Sequence, residues 1–567
     1  MADYESDSDE GEAGLGNVTR VIMRPPGHSG KAKKGHLCFD ASFETGNLGR
    51  IDLISEYEYD LYIRPDTCNP RHRSWFNFVV ENTRQDQNVI FNIVNISNKN
   101  NLYQFGMTPL VRSTSRTTWS HIPLNRIHYH RSSCHGNNYV LSILFSFDKD
   151  DDSYQFAFTY PYSYSRLQNF LSVIEKKKLP FFKRELLGKS IQNRALDLIT
   201  ITNPKNLNST EKVHVVVIMS RVHGADTSSS YVCQGIIEFL ISNHPIVVRL
   251  RKSIVFQMIP MMNPDGVTLG NSRTNLLGID LNRAWHKVSQ WVHPTLHAVH
   301  NYLMDIDKNE KMELDLVIDV HAHSSLLGVF TYGNTYNDVY RYEKHILFPK
   351  LLAKRVKIGH EPSYTMCNRD SRKLGTSRRF LCQTLNDKVN CYTLFVSHYG
   401  YRISPKTIIP FNEEMFYTIG TCVVQTFSDY FKFTGILLQQ SKVQKGLSKK
   451  ERFRKRAYRR HYNQIKKKHT RICNIANKNT LTLNKVDIKD SFRDIFSDMN
   501  LEHNHNLCYK LKSQPYIPFK STFNSKKITS ITQYATPRKD NKNTNSNLFS
   551  IINIHDIIRE TNILPNQ

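Results

Sequence analysis

No stretch of the 567-residue sequence approaches the roughly 18 consecutive apolar residues that a membrane-spanning helix requires. The opening segment, MADYESDSDEGEAG, is acidic and lacks the apolar core of a secretory leader. The ten cysteines include no C-x-x-C pair, which argues for free thiols in a reducing compartment. Acid is the scarce charge: 50 Asp plus Glu stand against 77 Lys plus Arg, a net of +27. That excess predicts attraction to polyanions such as nucleic acid, anionic lipid or acidic protein tails. No internal repeat is present. These absences predict a soluble intracellular protein with no membrane partner.

The length suits two or three domains. Residues 1–36 are poor in apolar residues and read as a disordered acidic N-terminus. Residues 37–162 carry short alternating runs, among them Trp75–Val80, Val89–Val94 and Tyr139–Phe145. Their aromatic and β-branched residues, punctuated by Asn, Gly and Pro, predict a small antiparallel β-sandwich. Over 163–433 the pattern becomes strands alternating with helices: strands at Val213–Ile218, Ser253–Phe256, Leu314–Ile318 and Tyr392–Val396, and a helix over Ser228–Ser242. Mostly apolar strands separated by helices predict an α/β domain with a mixed, largely parallel sheet covered on both faces. Ligands of such sheets bind beyond the carboxyl ends of the strands. Residues 434–567 are basic and rich in Asn and Lys, and read as a disordered tail. Within it, 442–471 carries 14 Lys or Arg against one acid, Glu451.

Chemistry-bearing residues gather at the predicted strand ends. His223 follows the first strand, with Asp226 three residues on, and His321 follows the third. A close pair plus one distant ligand suits a catalytic zinc site, which uses a few N and O ligands and leaves one position open. On spacing alone His323 competes with His321, and ordinary strand-end histidines compete with both. His128, His130, Cys134 and His135 form a second cluster, whose spacing fits no zinc module and reads as strand and loop residues.

The segments around these histidines, in order, are Phe43-Glu44-Thr45-Gly46-Asn47-Leu48, Trp75-Phe76-Asn77-Phe78, Pro161-Tyr162-Ser163-Tyr164 and Arg221-Val222-His223. Ser229-Ser230-Tyr231-Val232-Cys233-Gln234-Gly235, Asn263-Pro264-Asp265-Gly266-Val267, Gly270-Asn271-Ser272-Arg273 and Gly278-Ile279-Asp280-Leu281-Asn282-Arg283 follow. Asp319-Val320-His321-Ala322-His323-Ser324, Thr331-Tyr332-Gly333-Asn334 and Gly375-Thr376-Ser377-Arg378-Arg379-Phe380-Leu381 complete the set. In these segments the chain resembles the cytosolic carboxypeptidases, a family of zinc metallocarboxypeptidases, from about Leu37 to Phe433. The resemblance implies that His223 and His321 are the zinc histidines, in that register rather than His323, and that Asp226 stands at the carboxylate ligand. It implies one zinc ion, with Arg273 polarising the scissile carbonyl and stabilising its oxyanion. Asn282 and Arg283 would clamp the substrate's terminal carboxylate, a task suited to a planar guanidinium.

Two positions depart from the family pattern. The His-Pro-Gly-Glu motif reads His223-Gly224-Ala225-Asp226, so the carboxylate ligand is shorter by one C–C bond, about 1.5 Å. Zinc is therefore expected to bind more weakly. The Thr-Leu-Glu-Val-Ser segment reads Thr393-Leu394-Phe395-Val396-Ser397. Its glutamate is the general base that takes a proton from the attacking water and passes it to the leaving amine. Phe395 neither gives nor accepts a proton. Glu413 and Glu414 are expected on the surface of the last helix, so no substitute base is evident. These departures predict a pseudoenzyme.

The family resemblance implies polyglutamylated or acidic-tailed partners such as tubulin. Lys373, Arg378 and Arg379 are candidates for recognising a glutamate side chain. The run 442–471 suits an acidic tail, a microtubule, nucleic acid or a nuclear import signal. The expected location is cytoplasmic, with cytoskeletal or nuclear association.

Overall fold

Aromatic residues alternating with polar ones along short strands build the N-terminal region as two facing sheets. The computed structural model describes residues 16–439 except 26–27, 29, 98–101, 357–364 and 368–372; most of the predicted tail, including 442–471, lies outside the described residues. One sheet contains Asn77–Glu81 and Tyr154–Ala157, the other Asn88–Ile93 and Asn138–Ser146. Phe78 stacks on Phe156 with ring centres 5.5 Å apart, and Phe91 of the opposite sheet meets both edge-on at 6.2 and 5.4 Å. These rings join the two sheets into one core. The sandwich is not wholly antiparallel, because Glu58–Tyr62 pairs with Asn88–Ile93 in parallel. It also begins upstream of residue 37: Val21–Ile22 pairs with Cys38–Phe39. Both residues of that edge strand are exposed, so it carries no alternation for a sequence reading to detect.

The following region holds an eight-stranded sheet. Four adjacent strands at its centre, Ile254–Ile259, Val213–Ser220, Met312–His323 and Asn390–Ser397, run parallel. Antiparallel pairings flank them, through Ala195–Ile201 on one side and Val329–Gly333 on the other. Val216 and Ile218 face the layer containing helices Thr227–Ile241 and Glu413–Phe433. Val215, Val217 and Met219 face the layer containing helix Pro294–Lys308. Both faces are thus covered, which is why these strands are continuously apolar.

Helices Thr227–Ile241 and Glu413–Phe433 cross at glycines. A Cβ at Gly235 would lie 2.5 Å from the Tyr417 carbonyl oxygen, and one at Gly420 would lie 2.4 Å from that of Val232. The backbones touch there, so the helix that starts after Asp226 is fixed against the sheet.

Candidate metal centre

The turn after Val213–Ser220 is held from within. Arg221 adopts a left-handed φ of 55° and is almost fully buried, and its guanidinium donates to the Gly224 carbonyl from Nε at 3.0 Å and Nη2 at 2.9 Å. Burial pulls that guanidinium down to about 10, which keeps it charged at neutral pH. A Cβ on Gly224 would fall 1.9 Å from the Asn271 carbonyl oxygen, so the turn needs glycine to approach that loop. Ser229 Oγ donates to the Asp226 carbonyl at 2.6 Å as the next helix begins. His223 and Asp226 therefore face the same point. His321 reaches it from the neighbouring parallel strand, whose register sets Val320 beside Ser220.

Asp226 Oδ2 lies 3.1 Å from His223 Nδ1 and 2.9 Å from His321 Nδ1. Among the described residues these three form the one cluster whose donor atoms all lie within 4.8 Å of one another, and all three are buried. The outer nitrogens are spoken for. His223 Nε2 donates to Asp280 Oδ1 at 3.0 Å, and His321 Nε2 to Asp319 Oδ2 at 2.9 Å. Asp226 Oδ2 is within hydrogen-bond reach of both Nδ1 atoms, so a metal held there would replace the Nδ1 protons that otherwise link the imidazoles to the carboxylate. Tetrahedral zinc with ligand distances near 2.0 Å would set ligand atoms about 3.3 Å apart, close to the two spacings from Asp226 Oδ2. The residues therefore fit zinc, and the outer carboxylates fix the ring orientations as such sites require. Despite its shorter side chain, Asp226 reaches the site, with Oδ2 within 3.1 Å of both Nδ1 atoms.

Charge is strongly organised here. Burial would raise the Asp226 carboxyl, but His223 and His321 outweigh it and hold that group well below the usual carboxylate range. Burial opposes charge on His321, yet Asp319 and Asp226 push its imidazole up to about 10. His323 does not join the cluster: its Nδ1 accepts from the backbone N–H of Ser325 at 3.2 Å and Leu326 at 3.0 Å. Burial, with nearby His398, lowers it to about 4, so it is neutral at pH 7.

Phe395 stands across the strand register from His321, with ring centres 5.8 Å apart. It stacks on Phe330 at 5.3 Å and meets Tyr332 at 4.8 Å and His323 at 5.2 Å. Its neighbours are thus three rings and the metal-facing imidazole. Glu413 is turned elsewhere, paired with Arg166 at 3.0 Å and accepting from the Tyr231 hydroxyl at 3.2 Å.

Arg273 Nε donates to Asp280 Oδ2 at 2.6 Å, which ties it to the carboxylate holding His223. Asn282 is buried, its Nδ2 lying 3.1 Å from His321 Nε2 and its Oδ1 accepting from the Ser377 N–H at 2.9 Å. Arg283 is half-buried beside it and donates to the Asn282 carbonyl at 2.9 Å. Lys373 is half-buried and its charge reaches His323. Arg378 is only 4% exposed and donates to the Gly333 carbonyl and Asn334 Oδ1, so its guanidinium faces the interior. Arg379 is half-buried on the same helix.

The structure adds groups that sequence reading did not assign. Asp280 and Asp319 orient the histidines, and Ser377 Oγ donates to Asp319 Oδ2. Asp319 precedes His321 by two on one strand, hence on the same face, a signal that period-two reasoning carries. His398, directly after the Thr393–Ser397 segment, is buried with Nε2 3.9 Å from Asp226 Oδ1. In the sandwich, His135 Nε2 lies 2.7 Å from Asp60 Oδ2, and none of His128, His130, Cys134 or His135 forms a metal cluster.

Residues 167–418 match the zinc carboxypeptidase family, and 39–158 match the cytosolic carboxypeptidase N-terminal domain. Human cytosolic carboxypeptidase 6 is 48% identical over 423 residues, spanning 74% of this chain and 84% of that protein. Its Caenorhabditis elegans counterpart is 42% identical over 376 residues, 65% of this chain and 80% of that one. A metallo-carboxypeptidase structure from Burkholderia cenocepacia shares the fold, with a TM-score of 0.59 at 19% identity over 70% of this chain and 99% of its own. With its metal-fitting cluster, its N-terminal sandwich and these relatives, the chain belongs to the cytosolic carboxypeptidases, a family of zinc metallocarboxypeptidases acting on protein C-termini.

Proposed function

We propose that this chain holds glutamate-rich C-terminal tails of cytoplasmic proteins, tubulin-type tails among them, and that its hydrolytic step is impaired or lost. The observation that carries the reading is Phe395, an aromatic ring beside His321 where a proton-transfer group is needed. His223, Asp226 and His321 would hold zinc, which supplies Lewis-acid polarisation of a bound carbonyl. Arg273 is tethered through Nε to Asp280, a geometry suited to aiming the rest of its guanidinium at that carbonyl. Asn282 and Arg283 take the terminal carboxylate. Lys373 contributes positive charge for a glutamate side chain, and the +27 balance steers acidic partners towards the protein. Phe395 accepts no proton from an attacking water, which removes a contribution of roughly 10²–10⁴ in rate. The tail run 442–471 supplies a second polyanion contact, for acidic tails or nucleic acid and with cytoskeletal or nuclear association; deletion of 434–567 removes that binding.

The test is mass spectrometry of a peptide ending in a glutamate run, incubated with the zinc-loaded protein and with Phe395→Glu. The expected result is binding without shortening by the native chain and shortening by the variant. Rapid shortening by the native chain overturns the loss of hydrolysis, and absence of binding overturns the tail-holding role.

A further inference from the structure

Asp66 belongs to the N-terminal sandwich, yet its side chain ends inside the loop that carries Arg273. It is 2% exposed. Oδ1 accepts from the Ser272 N–H at 2.5 Å, and Oδ2 accepts from the N–H groups of Arg273 and Thr274, both at 2.8 Å. Thr274 Oγ1 donates to the same Oδ2 at 3.0 Å. Three consecutive amides thus converge on one carboxylate, the kind of nest that binds anions, here filled by a residue from another region of the chain. Neighbouring contacts hold the loop in the same register. Ser272 Oγ accepts from the N–H groups of Ser74 at 3.1 Å and Trp75 at 3.2 Å. Asn47 Nδ2 donates to the Gly270 carbonyl at 3.0 Å. Gly270 has φ of 74°, and a Cβ there would lie 2.4 Å from the Gly46 carbonyl oxygen, so sandwich and loop meet backbone to backbone.

From that anchored backbone the Arg273 side chain runs to Asp280 Oδ2, and Asp280 Oδ1 receives His223 Nε2. The carboxylate of Asp66 therefore sets where the guanidinium starts, and Asp280 sets where it is tethered. We infer that Asp66 is a positioning residue for the carboxypeptidase site: the N-terminal sandwich aims Arg273 by holding the amides of residues 272–274. The inference rests on the reading of Arg273 as the group that meets the substrate's scissile carbonyl.

The experiment is a double-mutant cycle on the full, zinc-loaded chain with two probes: a peptide ending in two glutamates, and the same peptide with its last amide replaced by a phosphonate. The phosphonate presents tetrahedral anionic oxygens to Arg273. Asp66→Asn is expected to weaken the phosphonate about tenfold while changing the plain peptide less than about twofold; in an Arg273→Ala background it is expected to change the phosphonate less than about twofold. Equal losses in both backgrounds, equal losses for both probes, or no loss overturn the proposal. Thr274→Val, which removes only the hydroxyl bond, is expected to give a smaller loss with the same pattern if Asp66→Asn fails to fold. A native chain that binds neither probe defeats the tail-holding function, and amide hydrogen exchange over 268–278 then decides for Asp66. Exchange about tenfold faster in Asp66→Asn supports the anchoring, and native rates overturn it.

Discussion

Phe395 and His321 are register partners on adjacent parallel strands, and their side chains rise from the same face of the sheet with ring centres 5.8 Å apart. The register that brings the imidazole to the metal centre also brings the phenyl ring there. Changing Phe395 to Glu removes its stacking on Phe330 and its edge contact with Tyr332. We expect stability to fall by about 1–2 kcal/mol. Urea unfolding of both proteins measures this, and an unchanged midpoint would mean the ring cluster contributes nothing.

The outer carboxylates should matter as much as the ligands. Asp280→Ala and Asp319→Ala each leave a histidine of the cluster without its acceptor, and zinc affinity should drop roughly 10–100-fold in each. Competition with a chromogenic chelator gives the constants. Identical affinities would show that the rings are held by packing alone.

Restoring the family's ligand length should not help. Asp226 Oδ2 already stands 2.9 and 3.1 Å from the two Nδ1 atoms, so Asp226→Glu is expected to tighten zinc by no more than about twofold. A larger gain in the same chelator assay would show that the shorter residue strains the site.

The parts of this site legible in sequence are those fixed by local pattern. The apolar runs marked Val213–Ser220 and Met312–His323 as buried strands, and family motifs placed His223 and Asp226 just beyond the first and His321 near the end of the second. Partnerships between distant residues were not legible. Nothing local announces that Asp280 divides its oxygens between His223 and Arg273, or that Asp66 caps residues 272–274 from across the domain boundary. Arg378 shows the converse. Its basic identity suggested a substrate cation, whereas the helix Ser377–Thr384 turns it inward onto the Gly333 carbonyl.

Gly224 offers a sharper probe of the turn. Gly224→Ala places a methyl 1.9 Å from the Asn271 carbonyl oxygen and must push the two loops apart. Val222 and Ala225 on either side join the sheet and sandwich cores, so the protein is expected to lose some thermal stability while still folding cooperatively, and zinc affinity is expected to fall more than about tenfold through displaced ligands. Calorimetry with metal titration separates the two effects, and native-like affinity would refute the close approach.

Acid should weaken the domain through His345. The residue is fully buried, its Nε2 accepting from the Asn334 N–H at 2.8 Å and its ring stacked on Tyr392 at 4.5 Å. Burial lowers its imidazole to about 3, from an ordinary value of 6.5, despite the opposing bond to Asn390. The unfolded chain then binds a proton that the folded one refuses, so stability is full above pH 6.5 and is lost as pH falls towards 3. The loss is at most about 1.4 kcal/mol per pH unit in that window. His345→Gln should flatten the melting-temperature profile between about pH 6 and 4. Parallel profiles would assign the acid sensitivity to other groups.

The seam between the sandwich and residues 268–278 also bears on inheritance. A foreign sandwich grafted before residue 163 would leave the amides of Ser272, Arg273 and Thr274 facing a gap where Asp66 now sits. Recombination that separates the two regions is therefore penalised at the arginine, not at the graft point. The two halves are expected to travel through evolution as one cassette, with substitutions at position 66 and in the 270–274 loop arising together.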